Sequence, residues 1–299
     1  MTMVRSARWL AFAISLGSFA LLTSALAMAQ TNRVRVEYVP PTNPAHQPLY
    51  ELLKQRRTLE KLQEIFSPFR LPIDLTLRTV GCNGISNAWY HRPDVSVCYE
   101  YLHEIYQTAP TEMTPGGITH ADAVCGQTFF VFGHEMGHAM FDVLNVPIFG
   151  EAENAADHFS TYMMLQFGRD QAKGLITGAA YSYKKYVQGS YVSAPLAAFS
   201  DVHAAPAQRF YNMLCLAYGA DPILFAEFVA KDSADYLPKA RARNCKSEYD
   251  QVTFAFRDLI RPNLDEALEK QVMDKTWLPP VKARSRPTDT LPSGSRALQ

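Results

Sequence analysis

Two histidines four positions apart, with a glutamate after the first, make His134-Glu135-Met136-Gly137-His138 the segment best suited to chemistry. On a helix, residues i and i+4 project from one face a turn apart, so both imidazoles can reach a single divalent cation. Glu135 then falls about 100° round the axis from His134, beside the ion, where it can take a proton from water. The preceding Phe129-Phe130-Val131-Phe132 is strongly apolar and predicts a buried helix. Buried imidazoles and a buried carboxylate need partners, and one shared Zn2+ ion supplies one.

A catalytic zinc takes three protein groups plus water. Fourteen residues separate His138 from Glu153, with Pro147 and Gly150 between them, enough to turn the chain and return a second helix. In Glu153-Asn154-Ala155-Ala156-Asp157 the two acids again stand at i and i+4. Glu153 is the expected third ligand, with Glu151 and His158 as rivals. Asp157 is expected to accept the ring N–H of a ligating histidine, His134 first, and so fix its tautomer. Ala155 and Ala156 are small enough to let the two helices pack closely. Cys125 lies nine residues before His134, about 180° round the helix, and is expected to be a buried, inert thiol facing away from the metal.

The elements that must position these groups run strands first, helices later. Val34, Val36 and Tyr38 alternate with Arg33, Arg35 and Glu37, predicting a half-buried strand that Pro40-Pro41 ends. Leucines at helical spacing predict one amphipathic helix over 48–66. Ile73, Leu75 and Leu77 mark a second strand closed by Gly81. The segments 86–91 and 95–99 flank Arg92-Pro93-Asp94 as a hairpin, followed by a helix over 100–107. Further helices are predicted over 121–143, capped by Thr119 with Asp122, and over 151–167, 206–218 and 246–260, with another opened by Asp221-Pro222. The layout is α+β, a small twisted sheet with an edge hairpin packed on a mainly helical body that carries the paired histidines.

Composition narrows the class. The chain is 47 % hydrophobic, which can bury a real core and argues against a disordered protein. Its 29 basic side chains balance 29 acidic ones, so nothing forms a basic footprint for nucleic acid or a polybasic membrane patch. Residues 1–29 carry Arg5 and Arg8, an apolar stretch from Trp9 to Leu22, and Ala27-Met28-Ala29, the make-up of a secretory signal peptide. Without it the net charge is −2, and no apolar run remains that is long enough to insert stably in a bilayer. The expected organisation is a signal peptide over 1–29, one domain over 30–275, and a disordered tail over 276–299. Export to the periplasm or medium puts the cysteines in an oxidising space. Cys82 with Cys98 and Cys215 with Cys245 each flank a compact unit and are the expected disulfides, leaving Cys125 over. Closing loops of these sizes is worth roughly 3–4 kcal/mol each on a chain-entropy account.

At this point the sequence resembles a known group. The H-E-x-x-H helix followed by E-x-x-x-D on the next is similar to the gluzincin zinc peptidases of the thermolysin clan, with a shorter spacing. More narrowly, several segments resemble a domain-of-unknown-function family of bacterial proteins read as metallopeptidases. They are Cys82 with Asn87-Ala88-Trp89-Tyr90, Cys98-Tyr99-Glu100, His134–His138 and residues 150–157. Asp201-Val202-His203, Gln208-Arg209-Phe210-Tyr211-Asn212 and Cys215-Leu216-Ala217-Tyr218-Gly219 continue the similarity. It covers about residues 45–265, and the family's usual acid next to Glu153 is Asn154 here. The resemblance implies that Asn87-Ala88-Trp89 lines the cleft and pairs with an extended peptide by strand addition; the bland reading puts Trp89 in the core of an ordinary hairpin. Asp201 and His203 carry two readings: an oxyanion donor oriented by a carboxylate, or a helix cap beside a surface histidine.

The expected activity is hydrolysis of a peptide or protein by metal-activated water, with Glu135 as general base. The competing readings are a non-catalytic, zinc-stabilised binding protein and a zinc hydrolase of a non-peptide amide. Oligomeric state has no signature in the sequence.

Overall fold

The computed structural model describes residues 32–184, 187, 200–229 and 237–278, within a compact unit that begins at Asn32. The expected signal peptide, and the expected tail from residue 279 onward, lie outside the described residues. Trp277 and Leu278, just before that point, pack on the body: the Trp277 indole N–H donates to the Val272 carbonyl at 2.9 Å, and Leu278 is buried.

Four strands form one sheet in the order β1-β2-β4-β3. They are β1 (Val34–Tyr38), β2 (Leu75–Val80), β3 (Ala88–His91) and β4 (Asp94–Cys98). β1, β2 and β4 run parallel, and β3 pairs antiparallel with β4 as the edge. The alternation read from sequence decides the faces: Val34, Leu75, Leu77, Val95 and Val97 all turn into the core and are fully buried. Helices supply the rest of an α+β fold. They are α1 (Gln47–Gln55), α2 (Thr58–Phe66), α3 (Tyr99–Thr108), α4 (His120–Val143), α5 (Ala152–Leu165), α6 (Arg169–Lys184), α7 (Pro206–Ala220), α8 (Lys239–Ala242), α9 (Cys245–Ala255) and α10 (Glu266–Met273).

α4 is the axis of the body and is buried along most of its length, which is what an all-round apolar helix requires. A capping box starts it: Thr119 Oγ1 accepts from the Asp122 N–H at 3.1 Å, and Asp122 Oδ2 accepts from the Thr119 N–H at 3.0 Å. It packs on the sheet, on α5 and on α6. Close approach to α5 depends on glycines of α4. A Cβ at Gly133 would stand 2.4 Å from Ser160 Oγ, and one at Gly137 would stand 3.1 Å from Ala156 Cα. Ala156 is buried at this crossing, as its size suggested, while Ala155 is only partly buried.

Three sequence expectations are corrected. The helix over 48–66 is two helices, broken at Arg57, whose φ is +52°. The Tyr38 hydroxyl causes the break to be useful: it accepts the Leu59 N–H at 2.8 Å and donates to Glu60 at 2.7 Å, capping α2 from the sheet. Asp221-Pro222 does cap a turn, since Asp221 Oδ1 accepts from the Ile223 and Leu224 N–H groups. The turn leads only to a 3₁₀ segment, Ala226–Phe228. Phe225 and Phe228, three residues apart, both enter the core, a spacing that suits three residues per turn. Cys125 is half-buried instead of buried. α6 and α10 lie beyond the segments that the sequence predicts as helical.

Both expected disulfides are present, Cys82–Cys98 and Cys215–Cys245. The first ties the end of β2 to the end of β4. Beside it, Glu100 accepts from the Cys82 N–H at 3.0 Å and the Gly84 N–H at 2.9 Å, which fixes the loop leading into β3. The second ties α7 to α9.

Candidate metal centre

α4 and α5 bring His134, His138 and Glu153 together. Their ligand atoms all lie within 4.8 Å of one another. Glu153 Oε2 stands 3.0 Å from His134 Nε2 and 3.3 Å from His138 Nε2, and the two Nε2 atoms face each other at 3.2 Å. His134 Nδ1 is 2.7 Å from Asp157 Oδ1. With Nδ1 donating to that carboxylate, Nε2 is the atom turned inward, where it would ligate a metal once deprotonated. In the metal-free protein a proton on His134 offsets the repulsion among these three atoms, and a divalent cation in the same place would do the same. A tetrahedral zinc with bonds of about 2.0–2.1 Å sets its ligand atoms about 3.3–3.4 Å apart. The three separations observed are close to such a face, and the nitrogen and oxygen donors are those zinc takes.

Electrostatics follow the same plan. Burial works against charge on His134, but its bonds to Asp157 and Glu153 outweigh burial and raise its pKa to about 9 in the metal-free protein. Glu153 is lowered to about 2, first by its bond to His134. Asp157 is lowered to about 2, its burial overcome by His134 and Arg209. Burial, then repulsion from His134, lowers His138. Glu135 is 7 % exposed and lies outside the group of His134, His138 and Glu153. Burial raises its carboxyl to about 7, with His134 opposing, and it accepts the backbone N–H of Tyr90.

Tyr90 lies on the edge strand, so that bond sets β3 beside the metal group. The Cys98 N–H donates to the Asn87 carbonyl at 3.0 Å. By antiparallel alternation Trp89 and His91 then face β4, while Ala88 and Tyr90 point their backbone groups away from it: the Ala88 N–H donates to Asn87 Oδ1 at 2.9 Å and the Tyr90 N–H to Glu135, leaving the two carbonyls toward the edge. The Tyr90 hydroxyl donates to Asp142 at 2.6 Å, and Arg92 holds the same carboxylate, fastening the hairpin to the end of α4. Asn87 is exposed. Trp89 is 39 % exposed and is not a core residue.

His203 also reaches the site. Its Nε2 is 2.9 Å from Glu153 Oε2 and its ring stacks on His134 at 6.1 Å. Asp201 Oδ1 accepts the His203 backbone N–H at 2.8 Å and lies 3.1 Å from its Nδ1. Asp201 meets the ring and closes a bend, but it does not cap a helix: α7 begins at Pro206, with Ala205 before it. His203 stays outside the group of three ligand residues, and neither rival ligand joins that group. Glu151 is exposed and takes a bond from Asn154. Another grouping of potential ligands, Cys82, Cys98 and Glu100, holds no ion, because its two sulfurs are bonded to each other.

Arg209 stands in a segment that carries the family resemblance, but the sequence gives it no role. Its Nε and Nη2 each donate to Asp157 at 2.7 Å. The signal that could find it is the need of a buried acid for a countercharge.

Residues 38–260 match the family DUF4344, described as "Putative metallopeptidase". The chain belongs to this family. Its match spans β2, β3 and β4, both disulfides and every residue of the cluster. Membership implies a metal ion and a peptide or protein substrate. No curated protein and no solved structure gives a significant match. Among the described residues no helix is long and apolar enough to cross a membrane.

Proposed function

We propose that this family member is an exported, gluzincin-type peptidase that uses one Zn2+ ion. His134, His138 and Glu153 would hold the ion. The observation that carries the reading is the convergence of their three ligand atoms beside a buried Glu135 that none of them engages as a ligand. A closed structural site would need a fourth protein ligand and no base. Two disulfides support the exported location.

Zinc held there supplies Lewis acidity, making water acidic enough to ionise near neutral pH and polarising a carbonyl. The chain's own residues do the rest. The edge carbonyls of Ala88 and Tyr90 accept N–H groups of an extended peptide laid along the strand, which binds main chain without demanding a sequence. Glu135 takes a proton from the attacking water on its carboxylate and delivers it to the leaving amine nitrogen. His203 donates from Nε2 to the oxygen that gains charge, held by Asp201 at Nδ1.

The test is Glu135→Gln in purified mature protein, with a mixed peptide library and products mapped by mass spectrometry. Parent protein cleaves and a chelator stops it. The variant keeps its zinc and loses cleavage. Cleavage at the parent rate would remove Glu135 from the mechanism. Failure of the parent to cleave any peptide would leave the binding-protein and non-peptide amide readings in its place.

A further inference from the structure

Behind the metal group runs a chain of buried polar groups that the proposed chemistry does not use. His134 Nδ1 meets Asp157 Oδ1 at 2.7 Å, and that same oxygen accepts Arg209 Nη2 at 2.7 Å, while Asp157 Oδ2 accepts Arg209 Nε at 2.7 Å. The fork of the guanidinium thus takes both carboxylate oxygens. Arg209 is itself locked. Its guanidinium carbon lies 5.7 Å from the Phe130 ring centre and 5.4 Å from that of Tyr183. Its side chain is only 17 % exposed and that of Asp157 10 %. Phe130 belongs to α4, Asp157 to α5, Tyr183 to α6 and Arg209 to α7, so one ion pair joins four helices at a point one residue removed from the metal.

The chain direction adds a second consequence. Arg209 lies one turn inside α7, six residues after His203. The pair that braces His134 from behind also anchors the start of the helix from which His203 comes forward onto Glu153.

We infer that Arg209 is a positioning residue of the metal centre: by holding Asp157 bidentately it sets the orientation of His134 and thereby the affinity of the site for its cation. This rests on the metal-ligand part of the proposed function and not on peptide cleavage. A carboxylate with only His134 for a partner is free to rotate and to draw the ring with it. Lysine cannot replace the fork, since it offers a point charge where two directed N–H groups are needed. Outer contacts of this kind are typically worth about 10–100-fold in metal affinity.

The experiment measures zinc affinity by competition with a chromogenic chelator, at fixed pH and well below the melting temperature of each variant. Arg209→Met is expected to bind zinc about 10–100-fold more weakly than the parent. Arg209→Lys should fall between them. If Arg209 acts through Asp157, the double variant Asp157→Asn/Arg209→Met should bind no more weakly than Asp157→Asn alone. A purely structural Arg209 would lower the melting temperature and leave the affinity of the folded protein intact. Parent-like affinity in Arg209→Met, or losses that simply add in the double variant, would overturn the inference. If Arg209→Met does not fold, Arg209→Lys decides, and parent-like zinc affinity there would be equally fatal. Because the readout is affinity, a protein that cleaves no peptide still tests it.

Discussion

The two sides of the metal group are built differently. On the inner side, His134 and Asp157 have side chains 5 % and 10 % exposed, and each polar atom has a partner of fixed geometry. On the outer side, His203 and Asp201 have side chains 47 % and 60 % exposed and hold chiefly each other and Glu153. Ligands that must meet one ion benefit from rigid support, because a misplaced donor loses the bond. Groups that must admit and release a peptide need open space. On the proposed function, the difference divides the site into an interior that would hold the metal and a rim that would act on the substrate.

The largest expected effect comes from breaking the interior. Glu153→Ala removes the oxygen that meets all three imidazoles, and zinc content by elemental analysis should fall from one per chain to near none, with cleavage lost. Full zinc occupancy in that variant would dissolve the distinction. Next comes the rim. His203→Ala should lower kcat about 10²–10³-fold, the usual cost of one oxyanion donor, with zinc content unchanged. Loss of zinc in that variant would move His203 from the rim to the ligand set.

The smallest effect sharpens the interior alone. Asp157 has a folded pKa of about 2, below the ordinary 3.8, because His134 and Arg209 outweigh its burial. A depressed carboxyl contributes stability that is full above its unfolded pKa and is lost as pH falls through the folded one. In metal-free protein, Asp157→Asn should therefore lower the melting temperature most near pH 6, and the gap should close as pH falls toward 2. A gap independent of pH would mean that the Asp157 charge does not support the fold.

What could be read in advance follows the range of the interactions. His134 and His138, and likewise Glu153 and Asp157, are related by one helical turn, so each pair's shared face, with Glu135 beside the first, is a property of local spacing. The cysteine pairs closed short units and were equally legible. Arg209 lies 52 residues from Asp157, and nothing in local periodicity links them. The break at Arg57 has the same origin, since the leucine pattern continues through it and only the distant Tyr38 hydroxyl rewards a new helix start. Phe225 and Phe228 show the converse, a correct cap at Asp221 overridden by where two rings could enter the core. The burial of Trp89 was open in sequence, because strand alternation does not say which strand will be the edge.

In the proposed site, two imidazoles and one carboxylate hold a single ion whose remaining position is open to water. X-ray absorption at the zinc edge of the purified, zinc-loaded protein tests it most directly, compared with the Glu135→Gln and His203→Ala variants. The expected spectrum has only nitrogen and oxygen neighbours at about 2.0–2.1 Å, two of them imidazole, and neither variant changes it. A third imidazole that disappears with His203→Ala would mean a closed, structural site and would contradict the account.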